Sequence, residues 1–134
     1  MIQFDPLLLT FNMSSGRLLL KVNMSNPADV PYGTLDLMVL KTLQTMGKLH
    51  GYGLARRIEQ MARGVLSLNQ GTIYPALLRL EQQGWIESSW GTSDNNRRAK
   101  FYEITRAGQK HLQAESKQWT RMVSMVSRLL EGQS

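Results

Sequence analysis

The chain has 134 residues, 42% of them hydrophobic, which suits one domain with a real core. From residue 31 onward 14 basic residues stand against 8 acidic ones and carry the whole net charge of +6, so polyanions, nucleic acid or an anionic membrane surface, lead the partner classes. Without cysteine there is no disulfide, thiolate nucleophile or cysteine-held metal, as suits a reducing interior.

No apolar run approaches the roughly 20 residues that cross a bilayer. The opening "MIQFDPLLLTFNMSSG" lacks a basic start, and Asp5, Pro6 and Asn12 interrupt it, so it does not read as a signal peptide. The expectation is a cytoplasmic protein with no membrane partner. Residues 1–30 differ from the rest. Two apolar runs, Leu7 to Phe11 and Leu18 to Val22, flank a Ser-Ser-Gly turn, a hairpin pattern that is marginal alone in water. "SNPADVPYG" reads as a linker, and Met24 as a natural start for the domain beyond it. Residues 1–30 are therefore read as an extension and linker without a fixed role.

Residues 31–104 are more regular. "TLDLMVLKTLQTM" places Leu35, Val39, Leu43 and Met46 at helical spacing behind Thr34 as N-cap, and Gly47 ends it. "GYGLARRIEQMAR" puts Leu54, Ile58, Met61 and Ala62 on one face, with Gly64 as the stop. Tyr52 reads as core near that helix's start, His50 as a local hydrogen-bonding group, and Arg56, Arg57 and Glu59 as its wet face. A third helix carries Ile73, Ala76, Leu77 and Leu80 and halts at Gly84. "WIESSW" alternates with period two, "GTSDNNRRA" is a polar tip, and "KFYEIT" is a second strand. Thr105 then caps a helix running to about Leu130, so residues 105–134 form a separate C-terminal helix.

Three short helices followed by a two-stranded ribbon make a winged helix-turn-helix. The fold class is mainly α with a small β-hairpin, plus a long C-terminal dimerisation helix. The turn "GVLSLNQG" presents the third helix by its N-terminal end, the end that enters a major groove in this arrangement. Its unpaired N–H groups suit phosphate. Gly71 and Thr72 are small enough for close backbone approach, and Asn69 and Gln70 carry carboxamides that pair with adenine. Pro75 falls in the first turns, where a missing N–H costs less than in mid-helix.

"GTLDLMVLKTL", "HGYGLARRIE", "GTIYPALLRLEQQGWI" and "RRAKFYEITRAGQKHL" together resemble the PadR family of bacterial transcriptional regulators, from about Tyr32 to Leu130. The resemblance implies a repressor that binds double-stranded DNA as a homodimer through the third helix and wing. It implies that Tyr74 contacts backbone phosphate and that Arg97, Arg98 and Lys100 form the basic wing, which Ala99 splits. Some proteins of that family sense flat aromatic compounds between subunits, beside a tryptophan of the last helix. Trp119 matches that position, so a small aromatic effector is implied there, although a large aromatic is read first as interface core. In the same helix Trp119, Met122, Val126 and Leu129 are spaced three, four and three apart, a coiled-coil-like seam, and Leu112 extends it by seven. The alternative reading is a winged-helix protein-interaction adaptor without DNA contact.

Catalysis needs a nucleophile, a base and an orienting group. Two histidines and scattered carboxylates assemble neither that nor a metal site, and no glycine-rich phosphate loop is present. The chain therefore reads as a non-enzyme that calls for no cofactor and no metal.

Overall fold

The structure is a computed structural model describing residues 33–132 together with the backbone of two short strands, β1 (Leu9–Asn12) and β2 (Arg17–Leu20). These two pair antiparallel, Leu9 opposite Leu20 and Asn12 opposite Arg17. The expected linker "SNPADVPYG" lies outside the described residues, apart from its final Gly33.

From residue 33 the order is α1 (Thr34–Met46), β3 (Leu49–His50), α2 (Gly51–Met61), α3 (Gln70–Gln82), β4 (Ile86–Thr92), β5 (Arg98–Ile104) and α4 (Arg106–Leu130). The fold is mostly helical, with a small antiparallel sheet in the order β3-β5-β4. The hairpin read from the sequence is β4–β5. The two-residue strand β3 was not expected. It pairs Leu49 with Tyr102 and His50 with Phe101. Two residues carry no measurable period, so only the sheet reveals them.

The core forms where the helical stripes meet. Val39, Leu40 and Leu43 of α1, Leu54 and Ile58 of α2, and Ile73, Leu77 and Leu80 of α3 are almost wholly buried, closed from the sheet side by Ile86 and Tyr102. Fully burying such an aliphatic side chain contributes about 1.5–3 kcal/mol. The stripes are shorter than expected, since Met46 and Met61, each in a last helical turn, are exposed. Thr34 is not the N-cap of α1 but its first residue. Gly33 occupies the cap with φ +83°, a left-handed conformation that favours glycine, and its carbonyl accepts from the Leu37 N–H at 3.2 Å.

Tyr52 is also a correction. It is 66% exposed, because the buried positions of α2 are Gly51, Leu54, Ala55 and Ile58, and residue 52 lies off that stripe. Leu112 is a third. It is 2% exposed and belongs to this chain's own core, so it cannot extend a seam between subunits. The reason is the root of α4. Thr105 caps the helix by accepting from the Gly108 N–H at 3.0 Å while donating to the Gly84 carbonyl at 2.7 Å. These two hydrogen bonds hold the first turn of α4 against the bend ahead of β4, where the rings of Trp85 and His111 stack with centroids 3.5 Å apart. Leu112 follows directly behind this anchor. Past it the apolar residues of α4 are exposed, among them Trp119, Met122, Val126 and Leu129.

Candidate nucleic-acid interface

The front of α3 is built from the turn that precedes it. Leu66 and Leu68 are buried and pin that turn, and the Leu68 N–H donates to Glu59 Oε2 at 3.0 Å. Glu59 is thus no part of a merely wet face; it ties α2 to the entrance of α3. Asn69 caps α3 through its backbone, its carbonyl accepting from Thr72 and Ile73 at 3.0 and 3.1 Å. Its Oδ1 accepts from the Thr72 hydroxyl at 3.1 Å. The carboxamide is therefore held at its oxygen, with its amide donors left for a partner. Thr72 itself is buried, so its side chain orients Asn69 and any close approach there is to its backbone. Gln70 and Gly71 are exposed. Pro75 is the sixth residue of α3, in its second turn, where it removes the N–H that the Gly71 carbonyl would accept.

Tyr74 is half-exposed and lies across the N-terminus of α2. A Cβ at Gly51 would come within 3.0 Å of its ring and hydroxyl, so any other residue there would push the ring aside. His50 caps α2 as a local hydrogen-bonding group, its Nδ1 accepting from the Gly53 N–H at 3.0 Å. Tyr52 stacks beside His50, ring centroids 6.4 Å apart, and Arg56 lies over Tyr52 at 5.9 Å. Tyr52 and Arg56 thereby join Tyr74 on the surface formed where the N-termini of α2 and α3 meet. The sequence reading placed Tyr52 inside; the i, i+3, i+4 spacing from Gly51 was the signal that separates it from the core.

The tip of the β4–β5 ribbon is tied rather than loose. The Arg97 carbonyl accepts from both the Ser93 N–H at 2.8 Å and the Ser93 hydroxyl at 3.1 Å, and Asn96 turns the chain with φ 58°. Arg97 and Arg98 are exposed. The register pairs Ser88 with Tyr102, Trp90 with Lys100, and Thr92 with Arg98, so these residues share one face of the ribbon. Ala99 belongs to the other face and does not split the basic cluster. Within that cluster the cations differ. Arg98 stacks over the exposed ring of Trp90 at 4.6 Å. Lys100 is half-buried, 3.6 Å from Glu81 and over the Tyr102 ring at 5.9 Å. Its charge is answered from within the chain. Tyr102 is buried, and burial pushes its hydroxyl above the ordinary tyrosine range, with Glu81 and Tyr74 adding to the shift. It stays neutral and serves as a prop for Lys100.

A model of the "Transcriptional regulator PadR-like family" matches residues 39–114, more than half of the chain. The chain belongs to the PadR-like family of transcriptional regulators. Solved structures agree. A PadR family transcriptional regulator from Eggerthella lenta is 31% identical, covers 74% of this chain and 83% of its own, and superposes with a TM-score of 0.62. A PadR-like regulator from Bacillus cereus is 27% identical over 75% of this chain and 95% of its own, with a TM-score of 0.64. An uncharacterised protein of Lysinibacillus sphaericus is 25% identical over 105 residues, which are 78% of this chain and 95% of that relative. The matched span holds every α3 and wing residue discussed above and ends before Trp119. The winged helix is thus that of a regulator family and not of an enzyme family. Among the described residues no three His, Asp or Glu gather as a metal site, and no helix is long and apolar enough to cross a membrane.

Proposed function

We propose that this PadR-like regulator binds double-stranded DNA sequence-specifically, as a homodimer, and represses by covering a promoter. Asn69 and Gln70 lie at base edges, the N–H groups at the front of α3 face phosphate, and Tyr52, Tyr74, Arg97 and Arg98 hold the backbone. The observation that carries the reading is the pairing of an exposed polar helix front with a tied, arginine-tipped ribbon in a chain of this family. Lys100 contributes little, because Glu81 already answers its charge. The domain blocks are 31–104 for DNA and 105–134 for pairing, with the root of α4 up to Leu112 packed as part of the first. Two copies related by a two-fold axis would address half-sites about one helical turn apart, hence a pseudo-palindromic operator. A small aromatic effector is assigned to the cleft of about 390 Å³ lined by Trp85, His111, Glu115 and Trp119. Asp36 in that cleft is tied to Arg79 at 2.6 Å, which leaves Glu115 as its carboxylate without an ion pair among the described residues. The cytoplasm is the compartment this role requires.

Selection of bound sequences from random duplexes tests the proposal. The wild type yields a palindromic consensus. Arg97→Ala with Arg98→Ala binds it about ten- to a hundredfold more weakly, with the salt slope lowered by about one per arginine, and selects the same consensus. A variant that selects a different sequence would show that the wing reads bases and overturn this division of labour.

Trp90 acts through Arg98. A guanidinium on an exposed indole is held at a fixed angle and is worth about 0.5–1 kcal/mol there. Trp90→Ala therefore weakens operator binding about three- to fivefold in the wild type and has no effect in an Arg98→Ala background. Trp90→Phe keeps most of the affinity. Equal losses in both backgrounds would mean that Trp90 acts on its own.

A further inference from the structure

Every basic residue within α4 lies on one stripe. Arg106, Lys110, Lys117, Arg121 and Arg128 fall within about 60° of the helix circumference over a length of about 33 Å. Glu115, the helix's single acid, is on the opposite side, as are Trp119, Met122 and Val126. An ordinary solvated face mixes both signs, and Glu–Lys pairs at i, i+4 would stabilise the helix. Here the i, i+4 pairs Arg106–Lys110 and Lys117–Arg121 are like-charged and cost a few tenths of a kcal/mol each. The first half of the stripe borders a groove of about 740 Å³ between α1 and α4. Lys41, Arg106, Lys110 and Lys117 line it together with carboxamides such as Gln44 and Gln113, and no carboxylate does. Lys41 donates to Gln44 Oε1 at 3.1 Å, and none of the four cations enters an ion pair among the described residues.

We propose that this groove docks an acidic, extended polypeptide segment of a partner protein. Charge decides the sign of the occupant, and shape decides its class. Packed helices lie about 8–10 Å apart, so the groove between them admits one extended chain and not a duplex. Carboxamides serve both the N–H and the C=O of a peptide, whereas phosphate only accepts. An extended strand repeats its side chains about 6.6 Å apart on one face, close to the rise of about 6 Å from Arg106 to Lys110. A membrane surface fits poorly, because the apolar residues of α4 point the other way. The groove also stands apart from the wing: Arg106 follows the base of β5, whereas Arg98 begins it, about 20 Å away. Pairing through the far side of α4 leaves the groove open.

The test uses the full chain, a labelled twelve-residue peptide of alternating Glu and Ser, and fluorescence anisotropy. The wild type binds the peptide, and raising salt weakens it. Arg106→Gln, Lys110→Gln and Lys117→Gln together weaken binding about tenfold or more, and Lys41→Gln alone about two- to threefold. Arg97→Ala with Arg98→Ala leaves it within about twofold. All of these side chains are exposed, so circular dichroism stays at the wild-type signal and the melting temperature does not fall; relief of the like-charge pairs raises it slightly in the α4 variant. Peptide binding that survives the α4 variant, or that follows the wing variant, overturns the proposal. So does a twelve-base-pair duplex whose binding depends on the α4 residues, which would make the groove a nucleic-acid surface. The peptide arm involves no DNA, so its outcome is independent of the operator reading.

Discussion

Gly108→Ala destabilises the protein by about 2–3 kcal/mol and lowers its melting temperature by about 10–20 °C. A Cβ at residue 108 would fall directly on the backbone carbonyl of Trp85 and within 2.8 Å of the Ile104 side chain. That carbonyl, just ahead of β4, accepts from the Thr105 N–H at 3.0 Å and does not swing aside like the end of a flexible side chain. The first turn of α4 must therefore lift, and the gain in helix propensity, under about 1 kcal/mol, does not offset this. Lifting it strains the Thr105 bridge to Gly84 and Gly108 and the stack of Trp85 on His111. Thermal unfolding followed at 222 nm checks the expectation, with Gln113→Ala as an exposed control on the same helix that moves by less than about 0.5 kcal/mol. An unchanged melting temperature for Gly108→Ala would mean that α4 is not rooted here.

The same junction explains what the sequence made legible. Helices, their stops and the ribbon follow from apolar period and glycine placement, both local properties. The winged arrangement was readable because Leu54 and Ile58, and then Ile73 and Leu77, repeat at helical spacing and β4 and β5 alternate. What was not readable depends on contacts between elements. Leu112 and Trp119 are seven apart and look equivalent along the helix. Only the close approach that Gly108 permits shows that one is covered by its own chain and the other is not. Thr72 reads as a small residue for DNA to approach, and the sequence does not show that its hydroxyl holds the Asn69 carboxamide. Lys100 and Arg98 looked alike until Glu81 took one and Trp90 the other. Ala99 looked like an interruption because a linear motif ignores that strand neighbours face opposite sides. In each case the residue type was informative about chemistry, and a partner distant in sequence decided how that chemistry is used.

Trp119→Glu converts the proposed dimer into a folded monomer and weakens operator binding by about a hundredfold or more, because one half-site loses the effective concentration that linkage to the other provides. Trp119 is 45% exposed, with Met122, Val126 and Leu129 following on the same face at 55%, 42% and 73%. These side chains form a contiguous apolar strip that a monomer would leave in water. A carboxylate at its centre would be buried without a partner in the dimer and freely hydrated in the monomer, so the equilibrium moves to the monomer. Light scattering coupled to gel filtration reads the mass, and wild-type dimer mass in Trp119→Glu would refute the seam. Leu112→Glu is the contrasting variant. It places the charge in this chain's own core and lowers the melting temperature instead of the oligomeric state. Trp119→Phe separates pairing from sensing. The phenyl ring keeps the strip apolar and the dimer intact, but it removes the indole from the cleft shared with Trp85 and Glu115. A planar cationic dye should therefore quench tryptophan emission in the wild type and do so several-fold less well in Trp119→Phe, with the mass unchanged. Equal quenching in both proteins would remove Trp119 from the effector site and leave it as interface alone.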